Sequence, residues 1–158
     1  MADRLHQINV AYVPREDRLL LRATTQGGDE FRVWITRRFA ALLLSVLTRR
    51  MDTFGGAPTI AAQQETRALF HQGAMSKPFE GGSTRYPLGE EGILAFRVNA
   101  GPVTGDSFAL ELLPEQGQGV TLNLNRTLLY LFYNLVTQGV AQAQWNLGDT
   151  GEGSARVH

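Results

Sequence analysis

Cysteine is absent from the 158 residues, which excludes disulfide frameworks, thiolate nucleophiles and cysteine metal sites. The only histidines are His6, His71 and His158. None stands at metal-ligand spacing from another histidine or a carboxylate, so no metal centre and no cofactor is implied. Lysine occurs once against fourteen arginines, and the formal net charge is zero. A neutral chain lacks the global field that draws nucleic acid, so any such binding must be local. The apolar stretch Leu42–Leu47 is too short to span a bilayer. Met1–His6 runs straight into strand-like alternation, and no signal peptide is expected. These features point to a cytoplasmic chain with no membrane partner. Phosphate loops, nucleophile elbows and dinucleotide fingerprints are missing, so no catalytic residue is assigned and an enzyme is not the favoured reading.

What the sequence does contain is the same pattern twice. Residues 17–48 align without a gap on 106–137, with identities at Asp17/Asp106, Leu21/Leu110, Gly28/Gly117, Arg37/Arg126, Leu42/Leu131 and Thr48/Thr137. A strand–strand–helix unit cannot bury its apolar face alone, whereas two such units can bury theirs together. In the first copy Ile8, Val10 and Tyr12 alternate, then Leu19, Leu21 and Ala23, then Phe31, Val33 and Ile35. Centring the second hairpin on Gly27 pairs Leu19 with Ile35, Leu21 with Val33 and Ala23 with Phe31, all on one face. Thr36 is a candidate N-cap, and Phe39, Leu42, Leu43, Val46 and Leu47 form a helical stripe. In the second copy Leu94, Phe96 and Val98 open the unit. Phe108, Leu110 and Leu112 face Val120, Leu122 and Leu124, Asn125 takes the cap position, and Leu128, Leu131, Phe132, Leu135 and Val136 give the stripe.

The predicted fold is therefore α+β. It consists of two pseudo-repeated βββα units with antiparallel sheet, over 1–50 and 93–147, each helix packed on the inward face of its sheet. An insert over 51–92 carries a helix at 59–76 and a short strand at 84–88. Residues 148–158, with three glycines and no apolar period, are expected to be a disordered tail.

Two constellations are left as candidate sites. The hairpin register places Asp17 beside Arg37 and Asp106 beside Arg126, either as structural pairs tying strand to helix or as an anion site in which Arg37 or Arg126 joins the amides of its helix start. The outward face of the first copy sets Arg22 opposite Arg32, with Trp34 one step away, and Arg97 points outward on its own strand. Like charges facing each other destabilise a sheet unless something lies between them. Such a face suits a protein interface, with a homo-oligomer as the simplest version. Single-stranded nucleic acid is the alternative partner, its bases stacking on the tryptophan. A third reading is a small-molecule or anion binder, or an enzyme, using the Asp–Arg corners. The structural alternative has Trp34 covered by another element, with arginine stems lying over it.

The motif EDRLLLRATT…EFRVWITRR (Glu16–Thr25 and Glu30–Arg38) resembles a group of small bacterial proteins of unknown function. That resemblance covers roughly the first fifty residues and implies no activity. The tandem strand–helix plan also resembles, more loosely, the Whirly-type and Pur-type single-stranded nucleic-acid-binding folds. Those have four strands before each helix, and no binding residue is carried over from them.

Overall fold

The computed structural model describes residues 5–54 and 85–147. The helix expected over 59–76 and the tail 148–158 lie outside them. The described chain is α+β. Its elements are β1 (Leu5–Val13), β2 (Arg18–Thr25), β3 (Glu30–Ile35), α1 (Arg37–Thr53), β4 (Ile93–Leu94), β5 (Arg97–Ala100), β6 (Ser107–Leu113), β7 (Val120–Asn125) and α2 (Arg126–Ala143). They make a four-stranded sheet in the order β1-β2-β3-β4 and a three-stranded sheet in the order β5-β6-β7.

The hairpin registers are those the alternation dictates. Leu19 pairs with Ile35, Leu21 with Val33 and Ala23 with Phe31, while Tyr12 pairs with Leu19 and Val10 with Leu21. In the second sheet Phe108 pairs with Leu124, Leu110 with Leu122 and Leu112 with Val120. A slip of one residue would turn every one of these side chains to the other face, so burial pins the register. Both helices start on side-chain caps. The Phe39 amide donates to Thr36 Oγ1 at 3.1 Å, and the Leu128 amide to Asn125 Oδ1 at 2.9 Å; each satisfies a donor that the helix itself leaves open.

Two features depart from the sequence reading. Ile93 and Leu94, read as opening the second unit, instead pair with Val33 and Trp34 of β3, and they do so in parallel. The chain then crosses into the other sheet. The Ala95 amide donates to the Trp34 carbonyl at 3.0 Å and the Phe96 amide to the Leu113 carbonyl at 2.7 Å. Residues 93–100 thus form one crossover strand anchored in both sheets. The helices also exchange neighbours. α1 lies along β5, α2 lies across β1 and β2, and the helices touch each other. Gly139 permits the close approach of α2, because a Cβ there would stand 3.0 Å from Leu19 Cδ2 and 3.4 Å from Val10 Cγ1. Leu129, Tyr130, Leu131 and Phe132 are consecutive and all buried, which requires packing on more than one side of the helix. Leu21, Leu110, Phe39 and Phe132 are all fully buried in a single hydrophobic cluster fed by both sheets and both helices.

Of the short strand expected at 84–88, the described part shows only a bridge between Arg85 and Asp29. No helix of the described residues is long and apolar enough to cross a membrane.

Candidate interaction surface on the crossover strand

Arg22 and Arg32 do stand directly opposite each other, and Glu30 lies between them. Its carboxylate meets Arg22 Nε at 2.9 Å and Arg32 Nε at 2.7 Å, with its side chain fully buried and the two arginine side chains about a quarter exposed. Glu30 shares the outward face of β3 with Arg32, two residues on, and β-pleating brings the three groups together. Burial pushes the Glu30 carboxyl pKa up, but hydrogen bonds and charge from Arg22 and Arg32 outweigh it, and the net shift is downward. The sequence reading missed Glu30. The signal was present in the facing arginines, which need a counter-charge, and the nearest carboxylate on their face is Glu30.

The same face is closed by residues 85–92. Arg32 also donates to the Glu90 carbonyl at 2.8 Å, and its guanidinium lies 4.8 Å from the Tyr86 ring centroid. The Trp34 indole N–H donates to the Glu91 carbonyl at 2.9 Å. Arg85 pairs with Asp29 at 2.5 Å, and its backbone carbonyl accepts from the Glu30 amide at 2.9 Å. Gly92 sits hard against β3, where a Cβ would fall 2.5 Å from the Arg32 carbonyl oxygen; only glycine fits there, and its φ of +79° suits only glycine as well. Arg32 and Trp34 are therefore engaged in holding this segment on the sheet, and Arg22 is tied to Glu30.

The Asp–Arg corner of the first half is built differently from the expectation. Asp17 Oδ1 accepts from the Tyr12 hydroxyl at 2.7 Å and from the Trp145 indole at 3.3 Å, while Arg37 donates to the Asn146 carbonyl at 2.9 Å. Asp17 has φ +54° and precedes β2, and the β2–β3 register that would carry it to Arg37 ends at Leu19 and Ile35, two residues short. Its hydrogen bond raises the Tyr12 phenol pKa, with desolvation and the carboxylate charge adding to the effect. In the second half, Asp106 is exposed and the Arg126 guanidinium lies 5.7 Å from the Tyr130 ring centroid. At both helix starts the capping side chain occupies an amide an anion would need.

Arg97 remains exposed and makes no ion pair among the described residues. It lies beside what the fold leaves uncovered. The exposed large hydrophobics among the described residues are Leu42, Leu94 and Phe96, each a little over two-fifths exposed. Leu94 continues an apolar row across the first sheet through Trp34 and Leu20. Leu42 faces Phe96 across a shallow groove of about 370 Å³ between α1 and the crossover strand, whose charged lining is Arg38, Arg49 and Arg97. Arg38 donates to the Phe96 carbonyl at 3.0 Å and stacks over its ring at 5.1 Å. Arg50 takes the Ala100 carbonyl at 2.9 Å. Helix arginines thus blunt the open edge of β5.

A second cavity, of about 670 Å³, follows β7 opposite the ends of β1 and β2. Among the described residues it has no charged lining; Phe31, Leu122, Gln26, Gln118, Thr121 and Asn123 are among its walls. Among the described residues, no cluster of His, Asp and Glu could hold a metal ion.

Compared with protein-family models, with curated proteins and with solved structures, the chain matches none.

Proposed function

We propose that this chain is a non-catalytic assembly module that binds a second copy of itself through the surface flanking the crossover strand. One observation carries the reading: the large apolar side chains left exposed converge on that strand and the helix face beside it. An apolar centre rimmed by arginines has the composition of an interface. The strand is anchored in two sheets, so its side chains are presented without a large ordering cost. Arg97 stays in the proposed site, while Arg22, Arg32 and Trp34 become its support.

The single-stranded nucleic-acid reading loses two arginines to Glu30 and one face of Phe96 to Arg38. The anion reading loses helix-start amides to Thr36 and Asn125. Within the same proposal, the two βββα halves are copies of one unit. This is supported by Gly28 and Gly117, aligned identities that share φ values of +99° and +101°. The resemblance to small bacterial proteins, and a cytoplasmic site, belong to the proposal as well.

Light scattering across micromolar to millimolar concentration tests it. The wild-type mass is expected to rise from monomer to dimer, and Phe96→Asp is expected to stay monomeric with an unchanged circular dichroism spectrum. A wild type that stays monomeric throughout contradicts the proposal.

A further inference from the structure

β7 pairs with β6 on one side, and among the described residues no strand lies on the other. The direction of its backbone groups follows from β6. Ala109 and Leu113 present their carbonyls to the β5 side, accepting from the Gly101 amide at 2.9 Å and the Phe96 amide at 2.7 Å. Backbone groups along a strand alternate in direction, so Phe108, Leu110 and Leu112 turn toward β7 and meet Leu124, Leu122 and Val120. The amides and carbonyls of Thr121 and Asn123 therefore point away from the sheet. No hydrogen bond among the described residues uses them. Two other edges are blunted. Arg38 and Arg50 take carbonyls beside and along β5, and the register of β1 breaks between Leu5 and Gln7. The β7 ladder runs unbroken from Val120 to Asn125 with no charge and no proline, so the usual guards of an open edge are missing there.

We propose that the outer edge of β7 is a peptide-binding groove, which takes an extended, uncharged stretch of a partner polypeptide as an added strand. Donors and acceptors alternating along an edge are matched by another extended backbone. The cavity of about 670 Å³ lies along this edge, with Leu5, Gln26 and Phe31 across from it. With strands about 4.8 Å apart, a rise of about 3.4 Å and about 10 Å between layers, one strand residue fills on the order of 160 Å³, so the cavity holds about four. Phe31, Leu122 and Leu128 offer apolar contact, while Thr121, Asn123 and Gln118 offer neutral hydrogen-bonding groups. A charged side chain would lose water there without gaining a described counter-charge. A second copy fits less well, since its β7 comes backed by β6 and α2 into a space of about four residues. The groove shares no lining residue with the surface at the crossover strand, and the inference does not depend on the assembly reading.

Panning the intact protein against phage-displayed random heptapeptides tests it. The selected sequences, made as acetylated and amidated peptides, are expected to share a run of about four uncharged residues, alternately apolar and polar. At saturating peptide the Thr121 and Asn123 amides are expected to exchange roughly tenfold slower or more, while the Leu122 amide, already in the β6 ladder, changes little. Methylating alternate peptide nitrogens reads the contact itself. The set facing β7 is expected to weaken binding roughly tenfold or more in calorimetry, and the other set to leave it unchanged. Equal effects of both sets mean a side-chain pocket and overturn the added strand. So do an empty selection, selected peptides with a charged core, and Thr121 and Asn123 amides protected before any peptide is added. Protection that appears only as protein concentration rises makes a second copy the occupant and overturns the proposal too. Phe96→Asp is expected to bind the peptides like wild type, so failure of the assembly reading and failure of this one are seen separately.

Discussion

Replacing Glu30 by alanine is expected to destabilise the protein by roughly 3 kcal/mol, the low end of what breaking a buried ion pair costs, because water still reaches a quarter of each arginine side chain. The substitution leaves Arg22 and Arg32 facing each other across β2 and β3 with no counter-charge. It also loosens the anchor of residues 85–92, since Arg32 is the group that reaches Glu90. Urea denaturation at neutral pH measures the loss. The triple variant Glu30→Met, Arg22→Met, Arg32→Met is expected to lose less than Glu30→Ala alone, because removing all three charges leaves none unpaired in the sheet. The sign of the pH dependence follows from the lowered carboxyl. A group whose folded pKa is depressed contributes stability above its unfolded value and loses that contribution as pH falls through the folded value. The gap between wild type and Glu30→Gln should therefore be widest at neutral pH and close on acidification below the ordinary glutamate range.

Leu21→Ala and Leu110→Ala are each expected to cost about 2–5 kcal/mol, the range for emptying a fully packed leucine site. Both side chains are fully buried on an inner strand of their sheet, and they belong to one cluster. Their unfolding should remain a single transition, with tryptophan fluorescence and circular dichroism coincident. A biphasic curve in either variant would mean that the halves unfold separately, against the exchange of helices between them.

The parts of this fold that could be read from the sequence are those governed by short-range geometry. Gly27 and Gly28 fix the turn, and alternation then leaves one register that buries Leu19, Leu21 and Ala23 together. Thr36 and Asn125 announce the helix starts because their side chains can reach the third helical amide. The helix stripes were legible, but their destinations were not. A stripe says which side of a helix seeks cover, and nothing in Leu128–Val136 says that the cover is β1 and β2. Leu42 was assigned to the α1 stripe and is exposed, whereas Ala40 and Met51 are buried; the helix is rotated to meet β5. The crossover escaped because Leu94, Phe96 and Val98 alternate as one strand should. β4 and β5 are separated only by Ala95 and Phe96, and across those two residues the partner changes from β3 to β6. Choosing between partners distant in sequence takes the whole core, which no local pattern carries.

The site shifted for the same reason. Arg32 and Trp34 looked like part of a free face with Arg22 because the chain that engages them, residues 85–92, shows no strand or helix period. It is held by carbonyls of Glu90 and Glu91, and backbone acceptors carry no sequence signature. The aligned positions in the other half hold Glu111, Thr121 and, in place of Glu30, Gly119, so the buried ion network is a property of the first half alone.

Amide hydrogen exchange at Ala95 and Phe96 tests most directly whether one strand is pinned in both sheets and holds its apolar side chains outward. Their amides donate to Trp34 in one sheet and to Leu113 in the other. In dilute wild type, both are expected to exchange only through global unfolding, with protection matching that of Leu21 and Leu110. Exchange of either amide at the rate of an open loop would contradict the crossover, and with it the surface built on that strand.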